Sequence, residues 1–145
     1  MYVRTIAKLF HCCIAGGMQN QGKKYLRLND IRAYTEAFHL TNEVWNIVQM
    51  WPYFARITIG KQFVNAVDSV SANIAEGFGR YTKKDKIHFY RYSFGSVMEC
   101  LDWNEKAKRR NLLKSNEYER IHKTLQALPK EIHQLINFTN EKLRQ

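Results

Sequence analysis

Apolar residues recur along most of this chain at steps of three and four, the period of a helix seen from one side. The first stripe is Ile31, Tyr34, Phe38, Thr41, Trp45 and Val48, preceded by Asn29 and Asp30, whose side chains suit a helix N-cap. Trp51-Pro52 closes it, because a proline pushes the residue before it out of the helical region. A second stripe, Ile59, Phe63, Val67, Val70, Ile74 and Phe78, predicts a helix from near Thr58 to between Glu76 and Phe78. The third helix is expected from Lys83 to about Lys108, with Ile87, Tyr90, Phe94, Val97 and Leu101 as its main stripe. Phe89, Tyr90, Tyr92 and Phe94 fall on several sides of it, so it needs more than one neighbour. A fourth stripe, Tyr118, Ile121, Leu125, Leu128, Ile132 and Leu135, follows a cap at Ser115 or Asn116. Pro129 lies inside that stripe and is expected to kink the helix or split it.

No strand-like alternation interrupts these four runs, and their connections are short. The pattern predicts an all-α, antiparallel up-down-up-down four-helix bundle over residues 29–145. At 145 residues the chain is one domain, and a domain of this size buries roughly 70% of its unfolded surface without a covalent staple. The rings of Trp45, Phe89, Tyr92 and Trp103 exceed what one small core takes up, which points to homo-oligomerisation.

Between the second and third stripes lies NIAEGFGRYTKKD, residues 73–85. Two glycines ahead of a basic cluster suggest a phosphate-cradling loop, but such a loop follows a strand and opens a helix. Here Gly77 and Gly79 follow a helical stripe. They are expected to end that helix by adopting the left-handed conformation, and Thr82-Lys83-Lys84-Asp85 to start the next one as a capping box.

Charge then changes the picture. The formal net charge is +10, which points to an anionic partner such as nucleic acid or a membrane. It is unevenly placed. Residues 1–28 hold five bases and no acid, residues 29–76 are net −2, residues 77–114 hold ten bases and four acids, and residues 115–145 are net +1. The first 28 residues read as a basic, flexible extension, or as the product of an upstream start with Met18 as the alternative. Their apolar run is broken by Lys8 and His11 and is too short to span a bilayer; as a signal peptide it has a poor apolar region. Cys12, Cys13 and Cys100 lack CxxC spacing and suit reduced thiols in a cytoplasm. His11 beside Cys12 and Cys13 lacks a fourth ligand at metal spacing, and His39, His88, His122 and His133 show no ligand spacing either. No metal or other cofactor is expected.

Ser69-Val70-Ser71-Ala72-Asn73-Ile74-Ala75-Glu76-Gly77, followed by Arg80, Phe89, Gly95-Ser96 and Glu99, resembles the signature of the four-helix bundle proteins encoded in intervening sequences of bacterial 23S rRNA genes, also called the S23 ribosomal protein family. The similarity covers roughly residues 29 to 143. The accessory variability proteins of diversity-generating retroelements share the superfamily. The resemblance implies a homopentameric ring of bundles, bacterial and cytoplasmic, with a nucleic-acid role and no established enzymatic activity. Basic residues that the family often carries just before the motif are replaced here by Val64, Asn65 and Asp68.

Two groups of residues carry the functional expectations. Asn73, Glu76, Gly77, Arg80, Gly95, Ser96 and Glu99 form the motif; Glu76 and Glu99 suggest an acid/base pair, but a buried polar network fixing helix register is the favoured reading. Arg80, Lys83, Lys84, Lys86 and Arg91 make one basic rim, and Lys106, Lys108, Arg109, Arg110 and Lys114 a second, roughly 35 to 40 Å away along one helix. Lys83, Lys84 and Lys86 sit near a helix N-terminus, where the dipole disfavours cations, so they are expected to serve something besides stability. Tyr81 could stack a base. The leading expectation is a non-enzymatic oligomer that binds RNA or DNA backbones without reading sequence. The alternative is an adaptor that docks a protein such as a reverse transcriptase; no membrane partner is expected.

Overall fold

The structure, a computed structural model, describes residues 26–142. Four long helices dominate: α1 (Arg32–Gln49), α2 (Lys61–Gly79), α3 (Lys83–Arg109) and α4 (Ser115–Lys142). Consecutive helices pack side by side and α1 closes against α4, giving the up-down-up-down four-helix bundle. Residues 1–25, with Cys12 and Cys13, lie outside the described residues.

The entry to α1 differs from expectation. Asn29 and Asp30 belong to a 3-10 turn, Leu28–Asp30, whose Asp30 carboxylate accepts the Arg27 backbone N–H at 2.9 Å. Ile31 is the N-cap and offers no side-chain cap; it is buried instead. The buried face of α1 is also rotated from the predicted stripe. Ala33, Ala37, Leu40, Val44 and Val48 face the core, while Phe38 is 48% and Trp45 54% exposed. The small alanines keep the steps of three and four; of the predicted stripe Ile31 and Val48 are buried and Tyr34 packs against the core, while the larger rings of Phe38 and Trp45 turn outward.

The lead-in to α2 begins earlier than Thr58. A turn at Tyr53–Ala55 runs into a π-helical segment, Arg56–Gly60. A Cβ on Gly60 would stand 2.7 Å from Val48 Cγ1 and 3.2 Å from the Ala55 carbonyl oxygen. The bare glycine therefore lets this segment close on α1. From there the predicted stripe holds: Ile59, Phe63, Val67, Val70 and Ile74 are all buried.

The α2–α3 turn is built differently from the glycine expectation. Among the described residues no glycine has positive φ, and Gly77 and Gly79 both remain inside α2. Arg80 ends the helix by turning extended (φ −71°, ψ 149°). Gly77 serves close approach instead: a Cβ there would lie 2.6 Å from Tyr90 Cε1 and 3.0 Å from the Lys86 carbonyl oxygen. Two residues after Arg80, Thr82 caps α3 as predicted. Its hydroxyl accepts the Asp85 N–H at 3.1 Å and donates to the Asp85 carboxylate at 2.7 Å. The left-handed conformation appears at Asn111 (φ 55°), in the α3–α4 link.

In α4 the expected break at Pro129 does not occur; the helix runs through it. Leu125, Leu128 and Ile132 are buried on both sides of the proline, and that packing holds the helix where one backbone donor is missing. Between α2 and α3, the buried Ser93 hydroxyl donates to the Val70 carbonyl at 2.8 Å. Among the described residues no helix is long and apolar enough to cross a membrane, and no group of His, Cys, Asp and Glu could hold a metal ion.

Tyr90 sits at the α2–α3 contact, 2% exposed. Burial pushes its phenol up to about 12, against a smaller opposing pull from a hydrogen bond with Thr139. The folded state holds this proton more tightly than the unfolded chain, so the stability it confers is full below pH ~10 and is lost as pH rises toward ~12. At about 1.4 kcal/mol per pH unit, the loss is about 2–3 kcal/mol. Urea denaturation across that range should show it, and Tyr90→Phe should remove this component; an unchanged slope in the variant would exclude the assignment.

Candidate nucleic-acid interface

The turn between α2 and α3 carries the first basic rim. Arg80 pairs with Glu76 and lies over the Phe89 ring, 4.6 Å from its centroid. Lys83 Nζ donates to the Asn140 carbonyl near the end of α4 at 2.8 Å. Lys86 Nζ donates to the Phe78 carbonyl at the end of α2 at 2.6 Å. Lys83 and Lys86 thus lie at the start of α3 yet neutralise the C-terminal carbonyls of the two helices beside it, where the dipole favours a cation. That accounts for their placement without any ligand and corrects the expectation that stability does not explain them.

Lys84 and Arg91 are different. Both are exposed, and neither pairs with a carboxylate among the described residues. Seven residues apart on α3, they lie about 10 Å apart along one face. Tyr81, three residues before Lys84, is 99% exposed. On the same helix Tyr92 is half-exposed and its hydroxyl lies 2.6 Å from His88 Nε2.

At the other end of α3 most of the second rim is engaged. Lys106 pairs with Asp102 and lies 4.3 Å from the Trp103 ring centroid; Arg109 pairs with Glu105 at 3.0 Å. Hydrogen bonds from Arg109 and Tyr118 hold the Glu105 carboxyl below its ordinary range. Lys108 sits over the Tyr118 ring at 3.8 Å. Arg110 and Lys114 are exposed and again without a carboxylate partner among the described residues. Each rim therefore holds cations engaged by carboxylates, carbonyls or rings, and two that none of these engage.

The motif residues do not form the expected buried network. Asn73 donates to the Ser69 carbonyl at 2.7 Å, Ser96 to the Tyr92 carbonyl at 3.2 Å, and Glu99 accepts the Trp103 indole N–H at 3.1 Å. Glu76 and Glu99 are exposed, each engaged four residues along its own helix. Short polar side chains on a helix satisfy themselves locally, which sequence spacing alone does not reveal. Near the motif, contacts from one helix to the next include the Ser93 hydroxyl on Val70 and Gly77 against Tyr90. Gly95 faces open space.

A second feature extends well beyond the surplus ring of Trp45. From Val44 to Val67 the chain contains no acid, and Trp45, Met50, Tyr53, Phe54 and Ile57 are 47–85% exposed. Most of this apolar surface lies at the α1–α2 connection, the same end of the bundle as Arg110 and Lys114. The signal was available as a run of large apolar residues around Pro52, outside either helical stripe.

No curated protein matches this chain. Among solved structures it is similar to a protein of unknown function from the S23 ribosomal protein family of Bacteroides thetaiotaomicron. That match has a TM-score of 0.64 and 18% identity over 72% of this chain and 97% of the other. At that identity the likeness concerns the fold, and it agrees with the bundle described above. Residues 29–134 match the family described as 23S rRNA-intervening sequence protein. The match spans most of the chain and includes the whole SVSANIAEG motif, so the protein belongs to the 23S rRNA-intervening sequence protein family.

Proposed function

We propose that this bundle is a non-enzymatic, self-associating protein that binds RNA or DNA through its phosphate backbone. The observation that carries the reading is the set Lys84, Arg91, Arg110 and Lys114, exposed and unpaired in a chain whose other rim cations are largely engaged. Such cations release condensed counterions when they meet phosphates, which drives binding without regard to sequence. Tyr81, three residues before Lys84, and Tyr92, next to Arg91 in the chain, are exposed and offer ring faces on which unpaired bases stack. The exposed apolar surface around Tyr53 and Phe54 supports self-association, because contiguous patches of this kind mark contact sites. A pentameric ring is the assembly expected for the family.

Fluorescence anisotropy with labelled RNA hairpins and DNA duplexes of unrelated sequence tests this. Binding at low salt, with affinities within about threefold of each other for probes of one type, is the expected result. Light scattering on the same protein should give a mass several times that of one chain. Absence of binding at low salt would move the function to protein docking, with the apolar patch as its surface.

A further inference from the structure

Lys86 does more than cap α2, because it lines a cleft of about 490 Å³ between the start of α1, the α2–α3 turn and the end of α4. That volume lies within the roughly 300–1,000 Å³ range of small-molecule sites. Its walls are largely apolar, from Leu26, Ile31, Phe78 and Leu135 among others. The charged groups around it are mostly spoken for. Arg32 faces Glu131 at 3.6 Å and the Asp30 carboxylate accepts the Arg27 N–H, while Glu141 and Lys142, of opposite charge, are exposed at the C-terminal edge of the cleft. The Lys86 ammonium has three donors: one meets the Phe78 carbonyl at 2.6 Å and another approaches the Gly77 carbonyl at 3.5 Å. Beyond these carbonyls the ammonium meets only the Phe78 ring, 5.8 Å from its centroid, and no carboxylate among the described residues.

We infer that this cleft binds a small amphiphilic carboxylate, with its apolar tail along the Ile31–Leu135 wall and its headgroup on Lys86. The inference stands apart from the nucleic-acid reading, since Lys86 is not among the four open cations. An ammonium that lacks a carboxylate partner, in partly apolar surroundings, attracts a single negative charge more strongly than one in water does. Burial lowers the Lys86 pKa from its ordinary value, and a bound carboxylate would reverse that shift by favouring the charged amine. The partly enclosed walls favour an aliphatic tail over a second polar group.

Isothermal titration calorimetry on the full chain at neutral pH, with octanoate, decanoate, decanol and decyltrimethylammonium as probes, tests the assignment. Decanoate should bind at least tenfold more tightly than decanol, and decyltrimethylammonium should bind weakest. From octanoate to decanoate the affinity should rise by roughly fourfold per methylene. Lys86→Met should bring decanoate down to the affinity of decanol. Gln134→Trp, at an exposed position on the cleft wall, should weaken decanoate binding at least fivefold. Equal affinity for decanoate and decanol in the unaltered protein, or no binding of either, would overturn the inference even if Lys86→Met fails to fold.

Discussion

Gly77→Ala should lower the stability of the bundle by about 1–3 kcal/mol, the usual cost of overpacking a well-filled core. The added methyl would fall 2.6 and 2.8 Å from two carbons of the Tyr90 ring and 3.0 Å from a backbone oxygen of α3. Tyr90 is among the largest fully buried side chains and is hydrogen-bonded to Thr139, so its ring turns away only by giving up that bond, and the alternative is to push α2 and α3 apart. Alanine favours a helix interior over glycine by about 1 kcal/mol, which offsets part of the cost. Gly77→Val, larger and β-branched, should exceed it. Gly95→Ala is the control: it is also inside a helix but meets no atom within 4 Å, and it should stabilise by up to ~1 kcal/mol. Urea denaturation of the three variants decides the matter. If Gly77→Ala and Gly95→Ala shift the midpoint alike, close packing is not what Gly77 provides.

That contrast shows what was legible in the sequence. The glycine before Phe78 was conspicuous, but composition cannot separate a left-handed turn from a close approach, because glycine serves both. The core stripes of α2 and α4 were readable because Phe63, Val67, Val70 and Ile74, and Ile121, Leu125, Leu128 and Ile132, leave no competing apolar face. In α1 two faces competed. The helix presents Ala33 and Ala37 inward and Phe38 and Trp45 outward, the reverse of what side-chain size suggests. The basic rims were visible as charge clusters, whereas the division of their members into helix-capping, paired and open cations depends on which carbonyls and carboxylates lie within reach. Lys83 meets a carbonyl 57 residues away in sequence, and no local pattern announces such a contact.

Replacing Lys84, Arg91, Arg110 and Lys114 together by alanine should weaken nucleic-acid binding by one to two orders of magnitude near 0.1 M salt, with the fold intact. All four are exposed, and surface substitutions of this kind usually change stability by no more than about 0.5 kcal/mol each. The matched control removes Lys106 and Arg109, which are already paired with Asp102 and Glu105. Their loss frees two carboxylates, leaving the net charge of those pairs two units more negative, so a purely global charge effect predicts about half the change seen in the four-site variant. The local account instead predicts a much smaller fraction, because the open cations are the ones that reach phosphate. Anisotropy titrations of both variants against one RNA hairpin distinguish the two.

The slope of log K against log salt for the unaltered chain and the four-site variant, from about 50 to about 300 mM salt, tests the central claim most directly. Each neutralised phosphate contributes about 0.9 to that slope on duplex and about 0.7 on single strands. If the open cations form the interface, the unaltered protein has a steep negative slope and the variant's is shallower by about 3 units per bound copy. If the two slopes coincide, phosphate is bound elsewhere on the chain, and the four cations are not the interface.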